Sequence, residues 1–290
     1  LGTDGFGRTV KSVLMKAKAL RQEGVSSWIY TGAYQVPPPT ILGNIGEDLT
    51  LIEEVIGVGE IALSDHRSST PTTAELIKLT EHARVGGMLG GKAGIVNIHM
   101  GDAKNPFQPI IDAVENSELN FKQFLPTHCN RNDYIFEDAK EYGKNGYIDI
   151  TASSYPYFPE YEVKPSKAIG QLMEAGVPIE HITMTSDACG SLPDFDDDGN
   201  LVKLEMGMPK SVIDEIIDAY KKDGVKMEDA LKVATSNVAD ILKLHNKGRI
   251  EVGKDADLVL LDQEDRIYHM TAMGKMMIKD AKILKKGSYE

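Results

Sequence analysis

Six polar side chains close short apolar runs along this chain: Tyr34, Arg67, His99, His128, Arg131 and Asp187. His99 stands in "NIHMGD", His128 and Arg131 in "LPTHCNRN", and Asp187 in "TMTSDACGS". A histidine on each of two consecutive strands, followed by an aspartate two strands later, is a metal constellation. Neutral imidazoles and a carboxylate suit zinc or a similar divalent ion. Taken singly, each histidine reads as a satisfied core residue; their order and their place at strand ends favour the metal. Residues 60–67, "EIALSDHR", add Glu60 before the apolar Ile61-Ala62-Leu63 and Arg67 after it. A buried carboxylate or guanidinium is costly unless something pairs with it, so this strand is expected to carry its charges toward a site.

Side chains so spread in sequence need a fold that gathers strand ends. The chain supplies six units in which a short, β-branched, nearly continuous apolar run precedes a segment of helical period. Examples are "GIVNIHMGD" before "FQPIIDAVENSE" and "YIDITASS" before "KAIGQLMEAG". "EDLTLIEEVIG" is expected to be helical, and "LGT" to be the tail of an earlier strand. Apolar runs of this kind are strands covered on both faces. Repeated βα units make either a barrel or a doubly wound sheet, and only a barrel brings every strand end to one mouth. After two further helices, "GRIEVGKDADLVLLD", "RIYHMTAMG" and "KMMIKDAKILKKG" alternate and turn as a small antiparallel sheet. The expected domains are residues 1–246 and 247–290.

The bulk numbers exclude several classes. The 290 residues are 41% hydrophobic, enough for one large core or two modest ones. A net charge of −12 without any dense basic block argues against a nucleic-acid partner. The apolar runs are strand-length, too short for a bilayer. Two cysteines make no disulfide framework, which points to a reducing, cytoplasmic setting.

With "YTGAYQVP", "SDHRSS", "RVGGMLGGKAG" and "FDDDGN" added to the histidine motifs and "GKDADLVLLD", the chain resembles the amidohydrolase superfamily, and within it the isoaspartyl (β-aspartyl) dipeptidases. The resemblance runs through essentially the whole sequence. It implies a (β/α)8 TIM-type barrel with a small β-sandwich, two divalent ions, and hydrolysis of the side-chain amide of β-aspartyl dipeptides by a metal-bound hydroxide. It implies His99, His128 and Asp187 as metal ligands, with Asp187 also the proton shuttle. Tyr34 would polarise the scissile carbonyl, and Thr3, Arg67, Arg131 and Ser191 would hold substrate. The small dipeptide carries two carboxylates, for which two planar guanidinium forks are well suited. Family members tend to be homo-oligomers.

Two departures bear on that reading. The dipeptidases carry a carbamylated lysine bridging the metals where this chain has Glu60. Both end in a bidentate carboxylate, but glutamate is about 3–4 Å shorter. Glu60 is expected to bridge all the same, helped by Gly59, which permits a closer backbone approach; the alternative is a carboxylate paired with an arginine. The family's first barrel strand, with its His-x-His pair, has no counterpart here, so the chain reads as lacking its amino-terminal part and is expected to be inactive alone. The competing functions are another amidohydrolase of dihydroorotase, hydantoinase or N-acyl amino acid deacylase type, and a non-catalytic scaffold.

Other motifs are set aside. Residues 194–205, "DFDDDGNLVKLE", match an EF-hand loop but lack an upstream helix, so an acidic turn is expected. "GGMLGGKAG" has Ala93 where a phosphate loop needs Ser or Thr, and it follows a helix. Cys129 and Cys189 are expected to pack rather than ligate, and His82, His181, His245 and His269 to pack or face solvent.

Overall fold

The computed structural model describes residues 2–196 and 198–288. Six parallel strands, β1 (Ile29–Thr31), β2 (Val55–Leu63), β3 (Ile95–Met100), β4 (Phe124–Thr127), β5 (Ile148–Thr151) and β6 (Ile182–Thr185), follow one another around a (β/α)8 TIM-type barrel. β1 through β4 pair in sequence order, and β5 pairs with β6. The gap at β4–β5 is bridged where the chain turns at His128, whose φ is +64°. There Cys129 N–H donates to Asp149 O at 3.2 Å, and the Asn130 side chain both accepts from Thr151 N–H at 2.8 Å and donates to Thr151 O at 3.0 Å. A side-chain amide thus completes the ladder that the backbone leaves.

Each strand is followed by a helix: α2 (Ile45–Leu51), α3 (Thr73–Gly90), α4 (Gln108–Glu115), α5 (Asp133–Tyr142), α6 (Pro165–Glu174) and α7 (Ser211–Lys221). These are the six expected units. α8 (Met227–Lys232) and α9 (Ser236–Ile241) come next. An antiparallel sheet of β9 (Leu258–Leu261), β10 (Ile267–Ala272), β11 (Lys275–Lys279) and β12 (Lys282–Ile283) then matches the predicted small sheet.

Four expectations need correcting. α2 stops at Leu51, so "EEVIG" is not helical: Val55, Ile56 and Val58 are fully or almost fully buried as the first half of β2. Burial of β-branched residues inside the barrel overrides the helical spacing. Gly2 and Thr3 lie in a turn closed by Gly5 N–H to Thr3 O, not in a strand tail; Leu1 is outside the described residues. α1 (Val10–Glu23) was not foreseen, although Thr9 caps its start and Gly24 its end. Nor was the hairpin of β7 (Ser191–Phe195) and β8 (Leu201–Met206), which follows β6.

That hairpin disposes of the calcium-loop motif, because its flanks are strands; Asp197 is outside the described residues. The acidic turn is closed internally, with Asp196 accepting from the backbone N–H of Asp198 and Asn200. The glycines of "GGMLGGKAG" serve packing. A Cβ on Gly86 would meet Gly46 and Leu49 at 3.0 Å, and one on Gly87 would meet Gly94 at 2.6 Å, so they let α2, α3 and the following turn approach closely.

Candidate metal centre and substrate cavity

β2 is irregular where its chemistry sits. Its pairing with β3 runs Val58 to Val96 and then Ile61 to Ile98, so β2 holds one residue more than its partner. The extra step is Gly59–Glu60, with Gly59 at φ +152°. A Cβ on Gly59 would lie 2.7 Å from Asn97 O, so no other residue fits. Such a bulge re-aims a side chain. Here it delivers Glu60 Oε1 to 3.3 Å from His99 Nδ1 and 3.2 Å from His128 Nε2. Gly59 therefore does permit the close approach that the shorter glutamate needs.

Each imidazole is oriented from behind. Thr151 Oγ1 lies 2.7 Å from His128 Nδ1, and Asp65 Oδ2 lies 3.2 Å from His99 Nε2. Arg67 Nη2 also lies 2.9 Å from His99 Nε2. His99 Nδ1 and His128 Nε2 both face Glu60 Oε1; as hydrogen-bond donors they hold the carboxylate, and as acceptors they would share a cation with it. The two separations from Glu60 match a tetrahedral ion, whose bonds of about 2.0–2.1 Å set ligand atoms about 3.3–3.4 Å apart. Glu60, His99 and His128 are the group of ligand atoms that converges among the described residues, all within 4.8 Å of one another. Burial would raise the Glu60 carboxyl, but hydrogen bonds from His128 and His99 outweigh it and hold the group well below the usual carboxylate range.

Above this cluster opens a cavity of about 630 Å³ whose wall includes Thr3, Tyr34, Arg67, Arg131, Asp187 and Ser191. These six line it together with His99 and His128, while Glu60 lines an adjoining pocket with His128 and Asp187. Tyr34 is buried, its hydroxyl 2.8 Å from His99 Nδ1 and its ring against that imidazole at 4.4 Å, tilted by 36°. Burial, reinforced by Glu60, raises the phenol far above its ordinary value, so it stays protonated and able to donate. Ala62 N–H to Tyr34 O at 3.1 Å and Gln35 Nε2 to Arg67 O at 2.9 Å tie the Tyr34 loop to β2 and to the segment after it.

Asp65 buttresses Arg67 with two bonds of 2.8 Å, from Nε and Nη2, while Arg67 Nη1 reaches Thr3 Oγ1 at 3.4 Å. Burial opposes ionisation of Asp65, yet the Arg67 and His99 contacts hold its carboxyl well below the usual range. Arg131 Nη1 donates to Met100 O at 2.9 Å, which leaves the rest of its fork toward the cavity. Asp187 stands apart from the tight cluster, two residues beyond β6 at φ +50°. Burial raises its carboxyl, with His128 opposing and Glu60 adding to the rise. Ser64, His128, Asp187 and Cys189 all have φ between +50° and +64° at strand ends. Such sparsely populated backbone tends to gather at functional sites.

Cys129 is buried, its thiol donating to Pro126 O and raised far above its ordinary value by burial, so it packs as expected. His66 is largely exposed on the cavity rim. His181 is buried against Gly143 O and Tyr147.

Three residues escaped the sequence reading. Asp65 was visible only as part of "SDHR". Asp149, 1% exposed on β5, accepts hydrogen bonds of 2.6 Å from Thr127, Thr183 and Thr185; its sole signal was a charge interrupting an apolar strand. Glu162, in the loop after β5, lines the substrate cavity, and burial pushes its carboxyl up to about 7.

Comparison with known proteins agrees with this geometry. The Amidohydrolase family matches residues 115–285, more than half of the chain. The chain is 42% identical to a beta-aspartyl dipeptidase from Fervidobacterium islandicum AW-1 solved with beta-Asp-Leu, at a TM-score of 0.92 over all of this chain and 76% of that one. A second structure of the Fervidobacterium enzyme gives 39% and 0.88 over 74% of its chain. An allantoinase from Enterococcus faecalis is 27% identical over 133 residues, which cover 39% of this chain and only 29% of the allantoinase. Among the described residues no helix is long and apolar enough to cross a membrane. The chain belongs to the amidohydrolase family, a metal-dependent family, on the side of its beta-aspartyl dipeptidases.

Proposed function

We propose that this protein hydrolyses β-aspartyl dipeptides with the help of divalent metal ions, two in number and zinc by the donor set. The observation that carries the reading is that Glu60, His99 and His128 converge at the floor of a cavity whose wall presents two arginines and a buried phenol. The likeness to the Fervidobacterium dipeptidase supports it.

A divalent ion held by Glu60, His99 and His128 would lower the pKa of a bound water toward ~7 and polarise an amide carbonyl. The protein's own residues do the rest. Arg67, held rigid by Asp65, and Arg131 receive the substrate's carboxylates, with Thr3 and Ser191 beside them. Tyr34, kept protonated by burial, donates to the oxygen that gains charge as the amide is attacked. Asp187 has a carboxyl raised by burial, which suits a group that takes a proton from water and returns it to the leaving amine. It joins the metal set once an ion is present. We place these residues in a unit spanning 1–246, with 247–290 forming part of a small β-sandwich, in a cytoplasmic homo-oligomer.

The allantoinase match raises ring-amide hydrolysis as a second reading. A uracil- or hydantoin-type ring has no pair of carboxylates for Arg67 and Arg131. The full-length gene product, loaded with zinc, separates the two when offered β-Asp-Leu, allantoin and dihydroorotate. Turnover of the dipeptide alone is expected. Turnover of a ring substrate alone overturns the dipeptidase reading, and a protein that retains no stoichiometric metal by elemental analysis overturns both.

A further inference from the structure

The loop after β5 carries a carboxylate that this chemistry does not use. Glu162 lines the same cavity as Tyr34, Arg67 and Arg131. Its position is set from three sides. Ser154 Oγ donates to its Oε2 at 2.8 Å, its own N–H donates to Phe158 O at 3.2 Å, and the next residue, Val163, donates from N–H to Asn130 O at 2.9 Å. Asn130 is itself locked to Thr151, so the Glu162 loop is fastened to the floor of the site.

Two other carboxylates at the site have counterparts: Glu60 faces two imidazoles, and Asp65 is paired with Arg67. Asp187 has no ion pair among the described residues but stands beside Glu60 and His128, where a metal ion would neutralise it. Glu162 has neither: no lysine, arginine or histidine of the described residues forms an ion pair with it, and only the more distant Arg131 favours its charged form. A half-buried carboxylate lining a binding cavity without a cation in contact is expensive unless the ligand brings one.

Charge matching says what that ligand group is. A β-aspartyl dipeptide carries two carboxylates, which the arginines take, and at least one ammonium, which they repel. We propose that Glu162 is a specificity residue that receives an alkylammonium group of the substrate. The proposal rests on the β-aspartyl dipeptidase reading. An alkylammonium can come from two places: the lysine side chain of a residue following the aspartyl group, or the aspartyl α-amine. Phe158 and Tyr161 line the cavity beside Glu162 and would bed the apolar stem of a lysine, so the side chain is the expected source.

The test compares kcat/KM of the full-length, zinc-loaded protein and its Glu162→Gln variant on β-Asp-Lys, β-Asp-Leu and succinyl-Leu, the last being β-Asp-Leu without its amine. Glutamine keeps an oxygen for Ser154, so the loop is preserved. A charge-assisted hydrogen bond lost in this way changes selectivity about tenfold to a hundredfold. The expected result is that the ratio of β-Asp-Lys to β-Asp-Leu falls by about that factor, with Glu162→Asp keeping part of the preference. A fall in the ratio of β-Asp-Leu to succinyl-Leu instead assigns the contact to the α-amine and upholds the ammonium site. If both ratios stay within twofold of wild type while wild type turns over β-Asp-Leu, the ammonium site is wrong and the dipeptidase reading stands. If wild type turns over no β-aspartyl substrate, both fall together.

Discussion

Replacing Glu60 with glutamine removes one charge and changes almost no volume, so it isolates what that carboxylate does. The bulge at Gly59 stays, and the side chain still points at His99 Nδ1 and His128 Nε2, 3.3 and 3.2 Å away. Those separations match two edges of a tetrahedral metal site with bonds of about 2.0–2.1 Å, and under the proposed function Glu60 is one of the ligands. Loss of a residue that only orients a ligand costs 10–100-fold in metal affinity. Loss of an anionic ligand must exceed that, so Glu60→Gln is expected to bind zinc at least ~100-fold more weakly, about 2.8 kcal/mol or more at about 1.4 kcal/mol per tenfold. The assay is competition with a chromophoric chelator, checked by elemental analysis after dialysis, with circular dichroism to verify the fold. Retention of zinc with a Kd within threefold of wild type would refute the reasoning. Glu60 would then be an ion-pair partner for the two histidines, rather than for an arginine as the alternative drawn from the sequence had it.

Further outcomes follow from the same geometry. Tyr34→Phe is expected to lower kcat by ~10²–10³ with little change in KM, because the hydroxyl acts on charge that develops only in the transition state; steady-state kinetics checks it. Arg131→Ala is expected to raise KM for β-aspartyl dipeptides by at least about tenfold. Arg67→Ala is expected to do the same and also to destabilise the protein by about 1–3 kcal/mol in urea unfolding, since the buried Asp65 carboxylate loses two charge-assisted hydrogen bonds and keeps only His99, a backbone N–H and Arg131 at 3.7 Å. Asp149→Ala leaves the buried Thr127 and Thr183 hydroxyls, and that of the exposed Thr185, without their acceptor and is expected to cost about 2–4 kcal/mol, whereas Asp149→Asn, which keeps an oxygen, should cost less than half as much. Gly59→Ala drives a Cβ to 2.7 Å from Asn97 O and is expected to lower zinc affinity without touching any ligand, a loss that isothermal titration would detect.

Much of this was legible because strand ends in a barrel converge whatever the loops do. An apolar run terminated by His99, His128, Arg67 or Asp187 announces both the strand and its mouth, and the structure gathers all four around one cavity. The metal cluster was legible as a set of residue types but not as a geometry. What makes Glu60 reach the histidines is one extra residue in β2, and in the sequence that bulge is only a glycine before a glutamate. The boundary of α2 was misplaced because Glu53 and Glu54 look helical in isolation. In the structure Glu54 is buried against Lys18 and Arg21 of α1, a contact across more than thirty residues that no local pattern displays. Asp149 and Glu162 were invisible for a related reason. Each is one charge in an unremarkable segment, and its meaning comes from partners on other strands and loops: three threonine hydroxyls for the first, the cavity wall for the second.

The central claim is that this site cleaves the side-chain amide of a β-aspartyl residue. The measurement that tests it most directly is hydrolysis of β-Asp-Leu against its isomer α-Asp-Leu by the zinc-loaded, full-length gene product. The proposed function predicts cleavage of β-Asp-Leu and none of α-Asp-Leu. Equal cleavage of both isomers, or of neither by protein that holds its metal, would contradict the account.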